Sequence, residues 1–264
     1  MRTDNTPIQA VIFDMGGTLE DIHYDDASQQ AATRELHALL CELGLDPGLD
    51  LQALQATVLS GMRAYQQWRE QTEIELPPER VWAEYVFSNH GLVKDRLMAA
   101  AENITLFFET HYYTRSFRAE VPEVLAALHA RGFRLGIISN IISRVFVPTQ
   151  LAGHGIAHYF DPVVTSAVFG LRKPNTQIFL EAARLLNLPP TACAYVGDTV
   201  SRDVIGARRA GYGLAIQIKS FLTDKADQDA EPIPPDAVID SLMQIIPIVA
   251  PNTEAIYDNQ GHLL

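Results

Sequence analysis

The sequence predicts an α/β protein with a Rossmann-like parallel sheet and a block of helices inserted after its first strand. Two observations lead to this fold class. Short apolar runs and amphipathic helical patterns alternate between residues 119 and 246, which is typical of a parallel sheet with crossover helices. Residues 21–118 show helical periodicity throughout. We therefore expect a core domain of residues 1–20 and 119–264, interrupted by a helical insert of residues 21–118.

The strands of the core are predicted from apolar runs bounded by turn residues. The first run, Gln9–Phe13, stops at Asp14, before the turn-prone Gly16-Gly17-Thr18. The later predicted strands are Arg134–Ser139, Pro162–Ser166, Cys193–Gly197, Leu214–Ile218 and a short edge strand, Ala237–Ile239. The helical patterns between them span Val121–Arg131, Ser143–Leu151, Thr176–Leu186 and Val200–Ala210. Residues 224–236, rich in acids and prolines, are typical of an exposed loop.

The helical insert carries most of the large aromatic residues. Tyr65 and Trp68 are three residues apart, as are Trp82 and Tyr85, so each pair is expected to share a helix face. A helical-bundle core explains this pattern best, although an aromatic lining for a substrate pocket is an alternative. Arginines of the insert are expected to be solvated, although one of them could reach over a site to bind an anion; they are Arg63, Arg69, Arg80, Arg96 and Arg115.

Composition and charge exclude several classes of protein. The 264 residues carry a formal net charge of −12, whereas nucleic-acid binding normally leaves a basic footprint. No apolar run approaches the ~18–20 residues of a membrane span, and the N-terminal apolar run is too short for a signal peptide. The two cysteines, Cys41 and Cys193, are interpreted as buried free thiols of a cytoplasmic protein. Any anion site must therefore be built locally, from a few cations and backbone amides.

Polar residues follow the predicted strands at the points where the strands end. Asp14 ends the first strand, Ser139-Asn140 ends the second, and Asp198 ends the fourth, with Asp203 five residues later. Lys173 opens a helix after the loop that follows the third strand. Because ligands of such sheets bind at the carboxyl ends of the strands, we expect three carboxylates, a hydroxyl and a lysine to meet at one edge.

With these residues the chain resembles the haloacid dehalogenase superfamily of phosphohydrolases. Val11-Ile12-Phe13-Asp14-Met15-Gly16-Gly17-Thr18-Leu19 is similar to the first motif of that superfamily, and Ser139-Asn140 to the second. Lys173, in Gly170-Leu171-Arg172-Lys173-Pro174, resembles the third motif, and residues 197–207 resemble the fourth. The four motifs occur in order and at fitting separations, over residues 8–20 and 119–246. The helical insert of residues 21–118 resembles the cap domain of the superfamily in its position and its helical character.

The resemblance implies a nucleophile and a metal site. Asp14 would attack phosphorus and also bind a Mg²⁺ ion. The backbone carbonyl of Gly16 and the carboxylate of Asp198 would be further ligands, and oxygen ligands of this kind suit Mg²⁺. Asp203 would support the metal site through a water molecule. The expected reaction is the hydrolysis of a small phosphorylated metabolite through an aspartyl-phosphate intermediate.

The resemblance also assigns residues to the phosphoryl group. Ser139, the neighbouring Asn140 amide and Lys173 would hold the phosphoryl oxygens, with Lys173 also counted among the catalytic residues together with Asp14 and Asp203. Thr18 would support the first loop or bind the phosphoryl group. We expect no nucleic-acid or membrane partner, and either a monomer or a homodimer.

Position 16 departs from the pattern of the superfamily. Most of its phosphatases carry an aspartate two residues after the nucleophile, and this residue protonates the leaving group; here it is Gly16. A residue of the stretch Glu20–His23 or of the helical insert could replace it. Alternatively, the chain is a 2-haloacid dehalogenase, a phosphonate hydrolase or a catalytically weak protein that binds phosphometabolites. A carboxylate at Asp198 disfavours the dehalogenase, and the lack of a lysine early in the helical insert disfavours the phosphonate hydrolase.

Overall fold

The computed structural model describes residues 6–220, 223 and 233–250. Its main sheet has six strands in the order β5-β4-β1-β6-β7-β8, and every neighbouring pair is parallel. The strands are β1 (Ala10–Phe13), β4 (Arg134–Ser139), β5 (Phe160–Thr165), β6 (Cys193–Gly197), β7 (Leu214–Ile218) and β8 (Ala237–Ile239). The predicted fold class is confirmed, including the short edge strand.

The prediction that residues 21–118 are helical throughout is wrong. Two short strands at its ends, β2 (Glu20–His23) and β3 (Thr114–Phe117), pair in antiparallel fashion. The paired residues of β2 and β3 are more than ninety positions apart in the chain, so no local sequence pattern predicts the pairing. The ribbon that they form connects the core to the helices between them.

The helices between β2 and β3 form their own apolar core. They are α1 (Asp26–Glu42), α2 (Leu51–Thr72), α3 (Pro78–Arg80), a π-helical segment (Val81–Val86) and α4 (Lys94–His111). The Asp25 carboxylate accepts a hydrogen bond from the Ser28 amide and caps α1, and Asp50 caps α2 in the same way, as is typical of helix N-termini. Leu54, Val58 and Tyr65 share one buried face of α2. The expected bundle core is therefore present, around the buried Trp82.

The expectation that Trp82 and Tyr85 share a helix face is wrong. Trp82 packs against Phe87 and Phe108, whereas Tyr85 packs against Tyr65 and Trp68. These two residues lie in the π-helical segment, whose wider turn is closed by the hydrogen bond from the Phe87 amide to the Trp82 carbonyl. Residues three apart in such a turn point in different directions.

Helices cover both faces of the main sheet. In chain order they are α5 (Val121–Ala130), α6 (Phe146–Gly153), α7 (Ser166–Phe169), α8 (Thr176–Leu185), α9 (Ile205–Arg209), which follows a π-helical segment (Val200–Val204), and α10 (Ile245–Val249). Short 3₁₀ turns span Ala157–Tyr159, Pro190–Ala192 and Leu242–Gln244. Val11 and Phe13 of β1 belong to the apolar cluster that contains α5, α6 and α10, whereas Ala10 and Ile12 belong to the cluster that contains α8 and α9. This alternation is what a strand buried on both faces requires.

Only one of the two cysteines is buried. Cys193 is a buried free thiol as expected, but Cys41 is exposed, because it lies on the outer face of α1.

Of the loop predicted at residues 224–236, residues 224–232 lie outside the described part. Within the described residues, no helix combines the length and the apolar character that crossing a bilayer requires.

Candidate active site

Three of the predicted site residues lie together because their strands are neighbours. β1 lies between β4 and β6, with Phe13 in register with Ile137 and Val196. Asp14 follows β1, Ser139 ends β4 and Asp198 follows β6. The Asp14 amide donates to the Val196 carbonyl over 2.8 Å, which extends the pairing one residue past the strand. The parallel strands thus deliver all three side chains to one edge, as expected for such sheets.

Lys173 connects two of the carboxylates. Its Nζ lies 2.8 Å from Asp14 Oδ1 and 2.7 Å from Asp203 Oδ1, and it donates to the Tyr195 hydroxyl over 2.9 Å. An ammonium has three donors, so these contacts satisfy it, and its side chain is only 2% exposed. Tyr195, on β6, is a contact that the sequence analysis did not anticipate.

Asn140 positions the backbone of Lys173. Its Oδ1 accepts from the Lys173 amide over 2.8 Å, and its Nδ2 donates to the Lys173 carbonyl over 3.0 Å. Both polar atoms of the Asn140 side chain are thereby engaged in holding the backbone of Lys173. Ser139 lines the cavity described below.

Glu75 of the helical insert fixes the loop that precedes Lys173. Its Oε2 accepts from Arg172 Nη1 over 2.9 Å and from the Ser166 hydroxyl over 2.8 Å, and its Oε1 accepts from the Tyr65 hydroxyl over 2.5 Å. Arg69 lies 3.4 Å from the same Oε1. Burial and the neighbouring Arg69 lower the pKa of Arg172 to about 9, although Glu75 opposes this shift. This buried network attaches the insert to Arg172, the residue next to Lys173.

The three aspartates form one cluster. Carboxylate oxygens of Asp14, Asp198 and Asp203 all lie within 4.8 Å of one another. Asp203 Oδ2 accepts from the amide and the hydroxyl of Thr199, at 3.0 and 2.6 Å. Asp198 Oδ2 accepts from the Ser220 hydroxyl over 2.6 Å, whereas its buried Oδ1 has no hydrogen-bond partner among the described residues.

The pKa values of the three carboxyls separate in this cluster. Burial, which Lys173 offsets only in part, raises the pKa of Asp14, and the nearby Asp203 adds to the rise. Burial and the charges of Asp203 and Asp14 raise the pKa of Asp198 to about 7. Burial would also raise the pKa of Asp203, but Lys173 and Arg202 outweigh it and hold that pKa below its usual value. The clustered negative charge therefore adds to the effect of burial at Asp198, because no cation among the described residues contacts this carboxylate directly.

The donor set fits a hard divalent cation. Asp198 Oδ1 is a fully buried oxygen to which no described residue donates a hydrogen bond, and leaving such a group unsatisfied is costly. Gly17 has a φ of +82° and packs so closely that a Cβ there would lie 2.2 Å from Asp198 Oδ2. The loop after β1 is therefore shaped around this carboxylate. Clustered carboxylate oxygens are the ligands that Mg²⁺ prefers.

A cavity of about 100 Å³ opens at Asp14, whereas Asp198 and Asp203 lie outside its lining. Residues that the sequence analysis proposed for the site, Asp14, Gly16, Ser139, Asn140 and Lys173, line it together with Met15, Ile22, Arg115, Ile141, Phe146 and Arg202. Thr18 is fully buried outside this lining, and its hydroxyl has no hydrogen-bond partner among the described residues. Pockets for drug-sized ligands usually measure ~300–1,000 Å³, so the cavity suits a small substrate.

The expectation that the arginines of the insert are solvated is wrong for Arg115 and Arg69. Arg115, on β3, has a side chain only 13% exposed and pairs with Glu20 and Glu109. Arg69 is half-buried, with a side chain 20% exposed, and pairs with Glu75, whereas Arg63, Arg80 and Arg96 are exposed as expected. The sequence of Thr114–Phe117, in which Ser116 and Phe117 follow Arg115, is only a weak local indication of a strand. It does not identify the partners of Arg115.

Arg202 is the second arginine of the cavity. Its Nε donates to the Thr199 hydroxyl over 3.3 Å. Burial would lower the pKa of its guanidinium, but Asp198, Asp203 and Asp14 raise it above its ordinary value. It follows the strand end by four residues, so its proximity to the aspartates was within reach of the strand-end argument.

The space that a side chain at position 16 would take is occupied by the side chains of Ile22 and Arg115. A Cβ at this position would lie 2.7 Å from Ile22 Cδ1 and 3.5 Å from Arg115 Nη1. Among the residues of the stretch Glu20–His23, Glu20 is buried against Arg115, whereas His23 is exposed and Asp21 pairs with Arg118 at the surface. The space beside Gly16 therefore faces an isoleucine and an arginine.

The comparison with known families decides the classification. A family described as haloacid dehalogenase-like hydrolase matches residues 8–211. The chain is a haloacid dehalogenase-like hydrolase. The match confirms the resemblance that the four motifs suggested, and with it the prediction that the protein is a hydrolase.

Relatives of this hydrolase include phosphatases and a dehalogenase. It is 28% identical over 243 residues to a glyceraldehyde 3-phosphate phosphatase of Methanopyrus kandleri, over 92% of this chain and 97% of the relative. It is 33% identical over 162 residues to a phosphoglycolate phosphatase of Vibrio vulnificus, over 60% of this chain and 68% of that relative. Among solved structures, a 2-haloacid dehalogenase from Pseudomonas syringae aligns with a TM-score of 0.64 at 25% identity, over 93% of this chain and all of that one.

Proposed function

We propose that this hydrolase is a Mg²⁺-dependent phosphatase of a small phosphorylated metabolite, with Asp14 as the nucleophile. The observation that carries the proposal is the bridge from Lys173 to Asp14 and Asp203 at the floor of the cavity. The names of the relatives at 28% and 33% identity agree with it.

The geometry supports a division of labour among the site residues. Met15 and Lys173 both donate to Asp14 Oδ1, which orients the carboxylate so that Oδ2 is the oxygen left to attack phosphorus. The Ser139 hydroxyl and Lys173, both in the cavity lining, would hold phosphoryl oxygens, and Lys173 would exchange one of its three present contacts to do so. Asp203 keeps Lys173 in place through its 2.7 Å contact.

Mg²⁺ would be held by Asp14 and Asp198, with the Gly16 carbonyl as a further ligand. When bound, the ion offsets the repulsion between the Asp14 carboxylate and an anionic phosphoryl group. Attack by Asp14 forms a bond to phosphorus and breaks the bond to the leaving oxygen, giving an aspartyl-phosphate. Water then attacks phosphorus and releases Asp14 and inorganic phosphate.

The helical insert completes the site as a cap. Ile22 of β2 and Arg115 of β3, at the two ends of the insert, line the cavity together with the strand-end residues. The insert is therefore the part of the chain that selects the substrate, with the domain boundaries proposed at residues 20 and 119.

Dehalogenation of a 2-haloacid is the second candidate. Gly16, which provides no acid for a leaving group, and the alignment with a dehalogenase favour it. Asp198 opposes it, because a buried carboxylate with no cation in contact repels a carboxylate substrate.

One experiment separates the two candidates. Release of phosphate from acetyl phosphate and 4-nitrophenyl phosphate, and of chloride from 2-chloropropionate, is measured with Mg²⁺ and with EDTA, in the wild type and in Asp14→Asn. The proposal expects phosphate release that EDTA and the variant both abolish. Chloride release that persists in EDTA, without phosphate release, would replace the phosphatase by the dehalogenase.

A further inference from the structure

Arg115 occupies the side of the cavity that a side chain at position 16 would enter. Its Nη1 lies 3.5 Å from the place of a Cβ on Gly16, and both residues line the cavity with Asp14. Gly16 has no side chain to donate a proton, and the carboxyl of Glu20 on that side is already paired with Arg115 over 3.1 Å. A fixed cation therefore stands next to the nucleophile where an acid is lacking.

The guanidinium of Arg115 is held rigidly. Nη1 donates to Glu20 Oε2 over 3.1 Å, Nη2 donates to Glu109 Oε2 over 3.1 Å, and Nε donates to the Glu109 carbonyl over 3.0 Å. The group also stacks over the Phe146 ring, 4.6 Å from its centroid. Preorganised donors of this kind stabilise developing charge without having to rearrange during the reaction.

Two donors of Arg115 remain available. A guanidinium has five N–H groups, and three are used in the contacts above, one on each nitrogen. One N–H on Nη1 and one on Nη2 are therefore without a partner among the described residues. Both belong to a group that lines the cavity.

We propose that Arg115 is a catalytic residue that stabilises the leaving oxygen with these two N–H groups. The proposal rests on the phosphatase function proposed above. When Asp14 bonds to phosphorus, the electron pair of the broken bond stays on the leaving oxygen. A guanidinium does not give up its proton, so the oxygen departs as an anion, bound to Arg115, and takes its proton from water afterwards.

This mechanism defines a substrate class. Stabilisation by a cation without proton transfer favours leaving oxygens that are stable as anions, so the substrates are small acyl, enol or aryl phosphates rather than sugar or alkyl phosphates. The cavity of about 100 Å³ adds the restriction to small molecules.

The test is a linear free-energy series. kcat/KM for phosphate release with Mg²⁺ is measured for phenyl phosphates that differ in the acidity of the phenol, in the wild type, Arg115→Gln and Arg144→Gln. Arg144 is the matched control, because it also pairs with two glutamates, Glu79 and Glu102, but lies outside the cavity lining.

The expected result is a change of slope. Removing one donor to a developing oxyanion typically costs ~10²–10³-fold in rate, so Arg115→Gln should lose about 10²-fold with the least acidic phenol and less than about 10-fold with the most acidic. Arg144→Gln should give a line parallel to that of the wild type. A loss in Arg115→Gln that is uniform across the series would assign Arg115 a structural role and overturn the proposal.

Folding and the underlying function are tested separately. If a thermal melt shows that Arg115→Gln does not fold, Arg115→Lys keeps a positive charge between Glu20 and Glu109 but has a single nitrogen, and its loss should still grow as the phenol becomes less acidic; a uniform loss overturns the proposal here too. A wild-type rate that is independent of phenol acidity refutes the role of Arg115 and leaves the phosphatase intact. A wild type that releases no phosphate from any ester or from acetyl phosphate refutes the phosphatase, and the role of Arg115 with it.

Discussion

Gly16→Asp tests how the site works without an acid two residues after Asp14, the proposed nucleophile. The new Cβ would lie 2.7 Å from Ile22 Cδ1, whereas ordinary contacts of this kind measure 3.4–4 Å. Only the mobile end of the Ile22 side chain has to give way, and Arg115 Nη1 at 3.5 Å is already at an ordinary distance. Overpacking of this kind costs about 1–3 kcal/mol, which corresponds to roughly 2–10 °C in Tm for a chain of this size.

A second variant isolates the steric part of the effect. Ile22→Val removes the Cδ1 atom that the new side chain meets, and alone it should cost about 0.5–1.5 kcal/mol because Ile22 is buried. Gly16→Asp combined with Ile22→Val should therefore be more stable than the sum of the two single changes predicts. Differential scanning calorimetry of all four proteins measures this coupling.

The chemical effect of the same change appears in the substrate preference. General acid catalysis contributes ~10²–10⁴-fold, and we expect the lower end of that range for glycerol phosphate, because Arg115 holds the new carboxyl mostly ionised. The gain should increase as the pH falls from about 8 to 6, because the protonated form of the new acid becomes more populated. The slope of rate against leaving-group acidity should flatten in the double variant.

One outcome refutes this reasoning. A wild-type rate that does not depend on leaving-group acidity, with no gain on glycerol phosphate in a folded double variant, means that another residue already protonates the leaving group. The proton donor would then have to be sought in the helical insert or the stretch Glu20–His23.

Four further predictions concern the carboxylates and the buried ion pairs. Asp14→Asn should abolish phosphate release with no loss of Tm, because it removes one of three clustered negative charges; measurable turnover would exclude Asp14 as the nucleophile. Asp198→Asn should weaken Mg²⁺ binding by more than about tenfold, as read by isothermal titration calorimetry, and equal affinity would remove Asp198 from the ligand set. In the wild type, Mg²⁺ affinity should rise with pH up to about 7, because Asp198, whose pKa is raised to about 7, must lose its proton before it binds the ion. Each pH unit below this value should weaken binding up to about tenfold. Calorimetry that finds the same Mg²⁺ affinity at about pH 6 and about pH 8 would contradict this prediction. Glu75→Gln should cost about 3–5 kcal/mol in urea denaturation, because it leaves Arg172 buried without its charge partner, whereas the exposed Glu84→Gln should cost less than about 1 kcal/mol; equal losses would mean that burial does not set the value of these ion pairs.

The sheet and the strand-end residues were within reach of the sequence. The strands β1, β4, β6 and β7 are apolar runs buried along almost all of their length, and burial on both faces leaves a continuous local pattern. Asp14, Ser139 and Asp198 stand at the ends of such runs, so parallel pairing alone brings them together. Lys173 is less local, but its motif and its place before a helix suffice to assign it to the same edge.

The partners of the buried charges were decided only by the tertiary structure. Arg115 and Arg63 look alike in the sequence, yet Arg63 is exposed and Arg115 lies between Glu20 and Glu109 in the cavity. The pairing of β2 with β3, and of Glu75 with Arg172, joins residues more than ninety positions apart. Apolar periodicity specifies which face of an element is buried, but it carries no information on which distant charge will lie opposite, because that depends on how the elements pack. The sequence by itself therefore determined the sheet and the carboxylates at its edge, whereas packing of the helical insert decided that an arginine lies beside Gly16.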